Sequence, residues 1–181
     1  MDENHDSNAE DENAESKTGD ENAKSETRDE PDDTRVRLLG MNHVALEVGD
    51  VDEAIEWYRD LFAFDLRGRS DSSAFLDMGD QFLALAERHD AEERFDDGRH
   101  VGLVVDDADA LERRLVERGI ERLDTSGIDV HDPWGNRLQI VDYREIQFTK
   151  VDHVLDGMGL ETLEKTPDAL DELAKKGLAP E

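Results

Sequence analysis

The feature that most constrains this 181-residue chain is a motif that occurs twice. His43-Val44-Ala45-Leu46-Glu47-Val48-Gly49-Asp50-Val51-Asp52 returns 57 residues later as His100-Val101-Gly102-Leu103-Val104-Val105-Asp106-Asp107-Ala108-Asp109. His, Val, Leu, Val, Asp and Asp fall at matching positions. A repeat of this period implies a duplicated supersecondary unit whose copies bury their apolar faces together. In each copy a strand-like alternation runs into a helix start, and each copy places one histidine at the same point. A site shared by the two halves is therefore the first thing to expect.

The first module runs over about 37–88. Val44, Leu46 and Val48 alternate with His43, Ala45 and Glu47, the period of a strand with unlike faces. Asp50 caps a helix in which Val51, Ala54, Ile55, Tyr58, Leu61 and Phe62 form one apolar stripe. Strands are expected at Phe64–Arg67, Ser73–Met78 and Gln81–Glu87, the last two joined by a hairpin turn at Gly79-Asp80. The second module, about 98–143, repeats the plan. It has a strand through Val101, Leu103 and Val105, a cap at Asp107, and a helix through Ala108, Leu111 and Leu115 that stops at Gly119. Short strands are expected near Arg122, at Gly127–His131 and at Arg137–Tyr143. The Asp132-Pro133-Trp134-Gly135-Asn136 turn separates the last two.

The repeat ends at Tyr143. Glu145–Thr149 reads as an edge strand, and Val151–Met158 and Pro167–Lys176 as short helices. Thr166 is placed as N-cap, Pro167 at the first helical position and Gly177 past the end. Residues 147–181 are thus expected to be a helical extension covering an edge or face of the domain at 35–146.

Residues 1–34 hold fourteen acids against three bases and almost nothing apolar. Such a stretch cannot bury enough surface to offset its ordering entropy, so it is expected to be a disordered acidic tail. It has the make-up of neither a secretory signal nor a transit peptide. The formal net charge is −28, with six Lys and fifteen Arg. Nucleic acid and anionic membranes need a basic face and are excluded as expected partners. Acidity spread over a whole surface is the pattern of halophilic proteins and points to a salt-rich cytoplasm that screens the self-repulsion, the other reading being an ordinary acidic protein with an acidic tail. The chain has no cysteine, so thiol chemistry is excluded. No apolar run reaches transmembrane length.

The order strand–helix–three strands, twice, resembles the vicinal oxygen chelate superfamily of glyoxalase I, extradiol dioxygenases, and fosfomycin- and bleomycin-resistance proteins. The resemblance covers about 38–143. It rests on "MNHVALEVGDVDEAIEWYRDLF", "GRHVGLVVDDADALERRL" and "HDPWGNRLQIVDY". Ala63 departs from it, standing where the family commonly has glycine. The resemblance implies an α+β fold: two tandem βαβββ modules forming a curved mixed sheet around a cleft. It also implies a small-molecule ligand and a homodimer. By parity, the histidines face that cleft and their strands are central.

Carried over residue by residue, the family's four metal positions are His43, Ala84, His100 and Gln139. Alanine cannot ligate and Gln139 offers only a neutral oxygen. His43, His100 and Gln139 remain as metal candidates, for Fe, Mn, Ni or Zn held weakly or not at all. Gln139 cannot be a general base, so standard glyoxalase I chemistry is not expected. Glu47, His131, Tyr143 and Trp134 are the candidate substrate contacts. Two readings stay open. One is a metal-dependent lyase or dioxygenase in which the ion acts as Lewis acid. The other is a metal-free protein that binds or sequesters a small molecule.

Overall fold

Alternation makes the first strand of each module, and an aspartate starts the helix that follows. The structure is a computed structural model and describes residues 36–88, 95 and 98–178. Strand β1 (His43–Val48) turns Leu46 and Val48 into the core and leaves His43, Ala45 and Glu47 exposed. Asp50 then accepts the backbone N–H groups of Asp52 and Glu53. That satisfies two of the four donors a helix start leaves unpaired. Helix α1 (Val51–Leu61) buries Val51, Ala54, Ile55, Tyr58 and Leu61. Strands β2 (Leu66–Ser70), β3 (Ser73–Met78) and β4 (Gln81–Glu87) follow. They form a sheet in the order β1-β4-β3-β2, with β1 parallel to β4.

Module two repeats this with β5 (Val101–Val105), α2 (Ala108–Arg118), β6 (Ile128–His131) and β7 (Arg137–Asp142). Asp107 caps α2, and Gly119 ends it in the left-handed conformation. The sheet order is β5-β7-β6, with β5 parallel to β7. The strand expected near Arg122 is not formed. A single bond from the Leu123 N–H to the Asp129 carbonyl marks where it would pair. Arg122 itself is drawn to Glu112 and to the Gly127 carbonyl.

Among the described residues the two sheets are not joined edge to edge. Strands β1 and β5 are therefore outer strands, not the central ones expected, because each finds a parallel partner on one side only. The modules are instead joined through their apolar sides. One core cluster includes Leu46, Val48 and Tyr58 of module one with Leu103, Leu115, Leu138 and Ile140 of module two. Fully burying side chains of this size is worth about 1.5–3 kcal/mol each. The 132–136 turn keys the contact. Asp132 accepts from the backbone N–H groups of Trp134 (3.0 Å) and Asn136 (2.8 Å), from Asn136 Nδ2 (2.7 Å) and from the Tyr58 hydroxyl (3.1 Å). Asn136 Nδ2 also reaches the Glu47 carbonyl, and Trp134 lies over Gly49. A Cβ on Gly49 would fall 2.8 Å from the indole nitrogen, so only glycine lets the ring seat there.

After β7 the chain enters a 3-10 turn at Tyr143–Glu145, and the edge strand expected at Glu145–Thr149 is not formed. The Lys165 ammonium takes the carbonyls of Tyr143 and Phe148, which satisfies them without a ladder. Helices α3 (Asp152–Gly157) and α4 (Pro167–Lys175) follow, burying Leu155, Ala169 and Leu173. Thr166 caps α4 and Pro167 opens it, as the sequence predicts. The acidic tail assigned to residues 1–34 lies outside the described residues. Among those described, no helix is long and apolar enough to cross a membrane.

Candidate functional site

Strand parity and register give each sheet an open face, away from the helices. On module one it carries His43, Ala45 and Glu47 from β1, Phe82, Ala84 and Ala86 from β4, and Phe75 and Asp77 from β3. The His43 ring stacks on Phe82 at 4.7 Å, and its Nδ1 is 2.9 Å from the Asn42 side-chain oxygen. Phe75 meets Phe82 edge-on at 5.5 Å, and the Arg67 guanidinium lies over the Phe82 ring at 5.0 Å. Between these rings the face is floored by alanine.

On module two the open face joins polar groups to the Val104–Val141 pair. It carries His100 and Gly102 from the β5 segment, Arg137 and Gln139 from β7, and Asp129 and His131 from β6. Asp129 is fully buried. One of its oxygens accepts from Arg137 Nε (2.8 Å) and the other from the Thr125 hydroxyl (2.9 Å). Burial pushes this carboxyl up, but the bonds from Thr125 and Arg137 outweigh it and hold it below its ordinary range, with help from the nearby His100. A Cβ on Gly102 would meet nothing within 4 Å, so there is open space beside His100 and Gln139.

The two histidines occupy equivalent places. His43 lies opposite Phe82 on β4, and Ala84 is two residues further along. His100 immediately precedes the Val101–Leu138 pair, so its counterpart on β7 is Arg137, with Gln139 two further along. Both histidines are exposed, on different sheets. Gln139 shares its face with His100. No hydrogen bond or strand pairing joins His43 to either of them among the described residues.

Of the substrate candidates, Glu47 lies on the open face, and Arg88 grips both of its oxygens at 2.5–2.6 Å. His131 shares the module-two face and meets the Phe95 ring edge-on at 5.1 Å. Trp134 is packed against the core and over Gly49. Tyr143 falls outside β7, buried against Phe148 and beneath Lys165. The parity that put Tyr143 in the cleft fails because the strand ends at Asp142. Asp129 and Arg137 were missed. They keep the parity of His131 and Gln139, so the alternation already held the signal.

The Glyoxalase/Bleomycin resistance protein/Dioxygenase superfamily pattern matches residues 40–140. Over 48 residues the chain is 38% identical to a metallothiol transferase FosB from Staphylococcus haemolyticus, covering 26% of this chain and 34% of that protein. The matched stretch thus spans about a third of that relative's length. Two solved structures share the fold at a TM-score of 0.50. A glyoxalase family protein from Bacillus anthracis is 18% identical, covering 60% of this chain and 98% of that one. The fosfomycin resistance protein FosX from Listeria monocytogenes is 16% identical, covering 59% and 92%. With the duplicated module, its strand order and this match over more than half of its length, the chain belongs to the glyoxalase/bleomycin resistance/dioxygenase superfamily.

Proposed function

We propose that this protein binds a small molecule on the open faces bearing His43, His100 and Gln139, and does so without a tightly held metal. The observation that carries this reading is that, among the described residues, each carboxylate on those faces already faces an arginine. Glu47 is paired with Arg88, Asp77 with Arg67 and Asp129 with Arg137. The closing strands offer Ala84 and Gln139 where an anionic ligand would serve a divalent ion. Two neutral imidazoles and an amide leave the charge of such an ion uncompensated. The donor set therefore does not fit a firmly bound Fe, Mn, Ni or Zn ion. Gln139 has no proton to shuttle, which favours sequestration over turnover.

The equivalence of His43 and His100 supports a second reading, a metal-dependent lyase or dioxygenase with His43, His100 and Gln139 as protein ligands. Elemental analysis of untagged protein, followed by calorimetric titration with Mn²⁺, Fe²⁺, Ni²⁺ and Zn²⁺, separates the two. The first reading expects wild type to retain no ion through dialysis, and Gln139→Glu to bind about tenfold more tightly. A stoichiometric ion in dialysed wild type overturns it in favour of the second.

A homodimer is part of this proposal. Strands β1 and β5 each leave one edge unpaired by the other sheet, and such an edge calls for cover. A second copy pairing there would add its own half-site. Light scattering at the 20.5 kDa monomer mass would remove the dimer from the proposal.

A further inference from the structure

Residues beyond 140 lie outside the superfamily match, yet the extension reaches both modules. At its start it is fastened to the end of β7, the strand that carries Gln139. Lys165 takes the Tyr143 and Phe148 carbonyls and sits 3.5 Å from the Tyr143 ring centroid. Thr166 takes the Arg144 carbonyl through its backbone N–H (2.9 Å) and its hydroxyl (3.1 Å).

Its other attachment is to the turn that launches β4. The Lys150 side chain, 9% exposed, pairs with Asp80. Met158 and Val154 close over Gly79. Gly79 has φ +83, and a Cβ there would fall 2.8 Å from Met158 Sδ and 2.9 Å from Val154 Cγ1. The positive φ favours glycine, and a Cβ there would force Met158 and Val154 to shift. From this turn a short path leads to the open face. Arg67 donates to the Gly79 carbonyl (2.6 Å) and to Asp77 (3.1 Å), and Asp77 in turn accepts the Gly79 N–H (2.7 Å). The same guanidinium lies over Phe82, and Phe82 stacks on His43.

We infer that the C-terminal extension is a positioning strap. Lys150 and Met158 fix the Gly79-Asp80 turn and, through Arg67 and Phe82, set the imidazole of His43. The two are positioning residues, since they act on His43 through the turn, Arg67 and Phe82. This inference stands whether or not the site binds metal.

The test is carried out on the full chain with Lys150→Glu/Met158→Asp. Amide hydrogen exchange reports release of α3, and the histidine Cε1–H resonances report ring environment, with His43 assigned by His43→Gln. The strap predicts that exchange in α3 rises about tenfold or more and that the His43 resonance moves. The His100 resonance stays in place, and Lys150→Arg behaves as wild type. Release of α3 with His43 unmoved overturns the inference, and so does α3 remaining protected. Should the double variant not fold, Asp80→Asn supplies the same readout at smaller amplitude, and an unmoved His43 there overturns it equally.

Discussion

Each module has one hairpin turn before its closing strand, and the two turns are held by different means. In module two the 132–136 turn is held by module one: Tyr58 donates to Asp132, Asn136 donates to the Glu47 carbonyl, and Trp134 seats on Gly49. In module one the Gly79-Asp80 turn is held by the extension, through Lys150, Val154 and Met158. A perfect duplication would give both turns the same support. Here an added segment supports one of them, and the site inherits the asymmetry. The face beside the strapped turn is alanine and stacked rings, whereas the face beside the keyed turn is His100, Arg137, Gln139 and a buried Asp129.

The keyed turn should be the more costly to break. Asp132→Ala leaves two backbone N–H groups and the buried Tyr58 hydroxyl without their acceptor. A loss of about 2–4 kcal/mol in urea unfolding is expected. Burial raises the Asp132 carboxyl above its ordinary range despite its bonds from Asn136, Trp134 and Tyr58. A loss below 1 kcal/mol, on the scale of ordinary surface substitutions, would mean the two modules do not depend on this turn.

The strapped turn should come next. Gly79→Ala puts a Cβ against Met158 and Val154 at positive φ and should cost about 1–3 kcal/mol. Thioether and isopropyl ends can shift, which keeps this below the Asp132 loss. If Gly79→Ala proves the more damaging in the same urea titration, the order of the comparison is reversed.

The smallest effect concerns the end of β7, where a carboxylate ties the strand to the start of α2. Asp142, at the end of β7, accepts from Arg144 and from the Ala108 N–H at the start of α2. The Arg144 bonds dominate and lower its carboxyl from 3.8 to about 2. A depressed native value means that its contribution is complete above the ordinary range and is lost as pH falls from 3.8 towards about 2. The Arg144 side chain is 41% exposed, so solvent screening keeps that contribution small. Asp142→Asn should remove it at neutral pH and flatten the acid limb of a stability–pH curve over that window. An unchanged acid limb would show that Asp142 does not couple the strand end to α2.

The sequence by itself determined the duplicated plan, the capped helices and which side of each first strand is buried. These depend on neighbours a few residues apart: a period of two in β1, a period of 3.6 in α1, and the Asp50 and Asp107 caps. It also determined that the faces bear His43, His100 and Gln139, because parity carries along a strand for as long as the strand lasts. Parity misled at Tyr143, because the β5–β7 ladder ends with the Val105–Asp142 pair and the chain then turns into a 3-10 helix. The tertiary structure alone decided which carboxylates are neutralised. Asp129 and Arg137 are eight residues apart and meet only because β6 and β7 pair in that register. It also decided what holds each turn, since Tyr58 and Asp132 are 74 residues apart and Lys150 and Asp80 are 70. Contacts at such separation leave no periodic trace in a single sequence, because packing selects them only after the local elements exist.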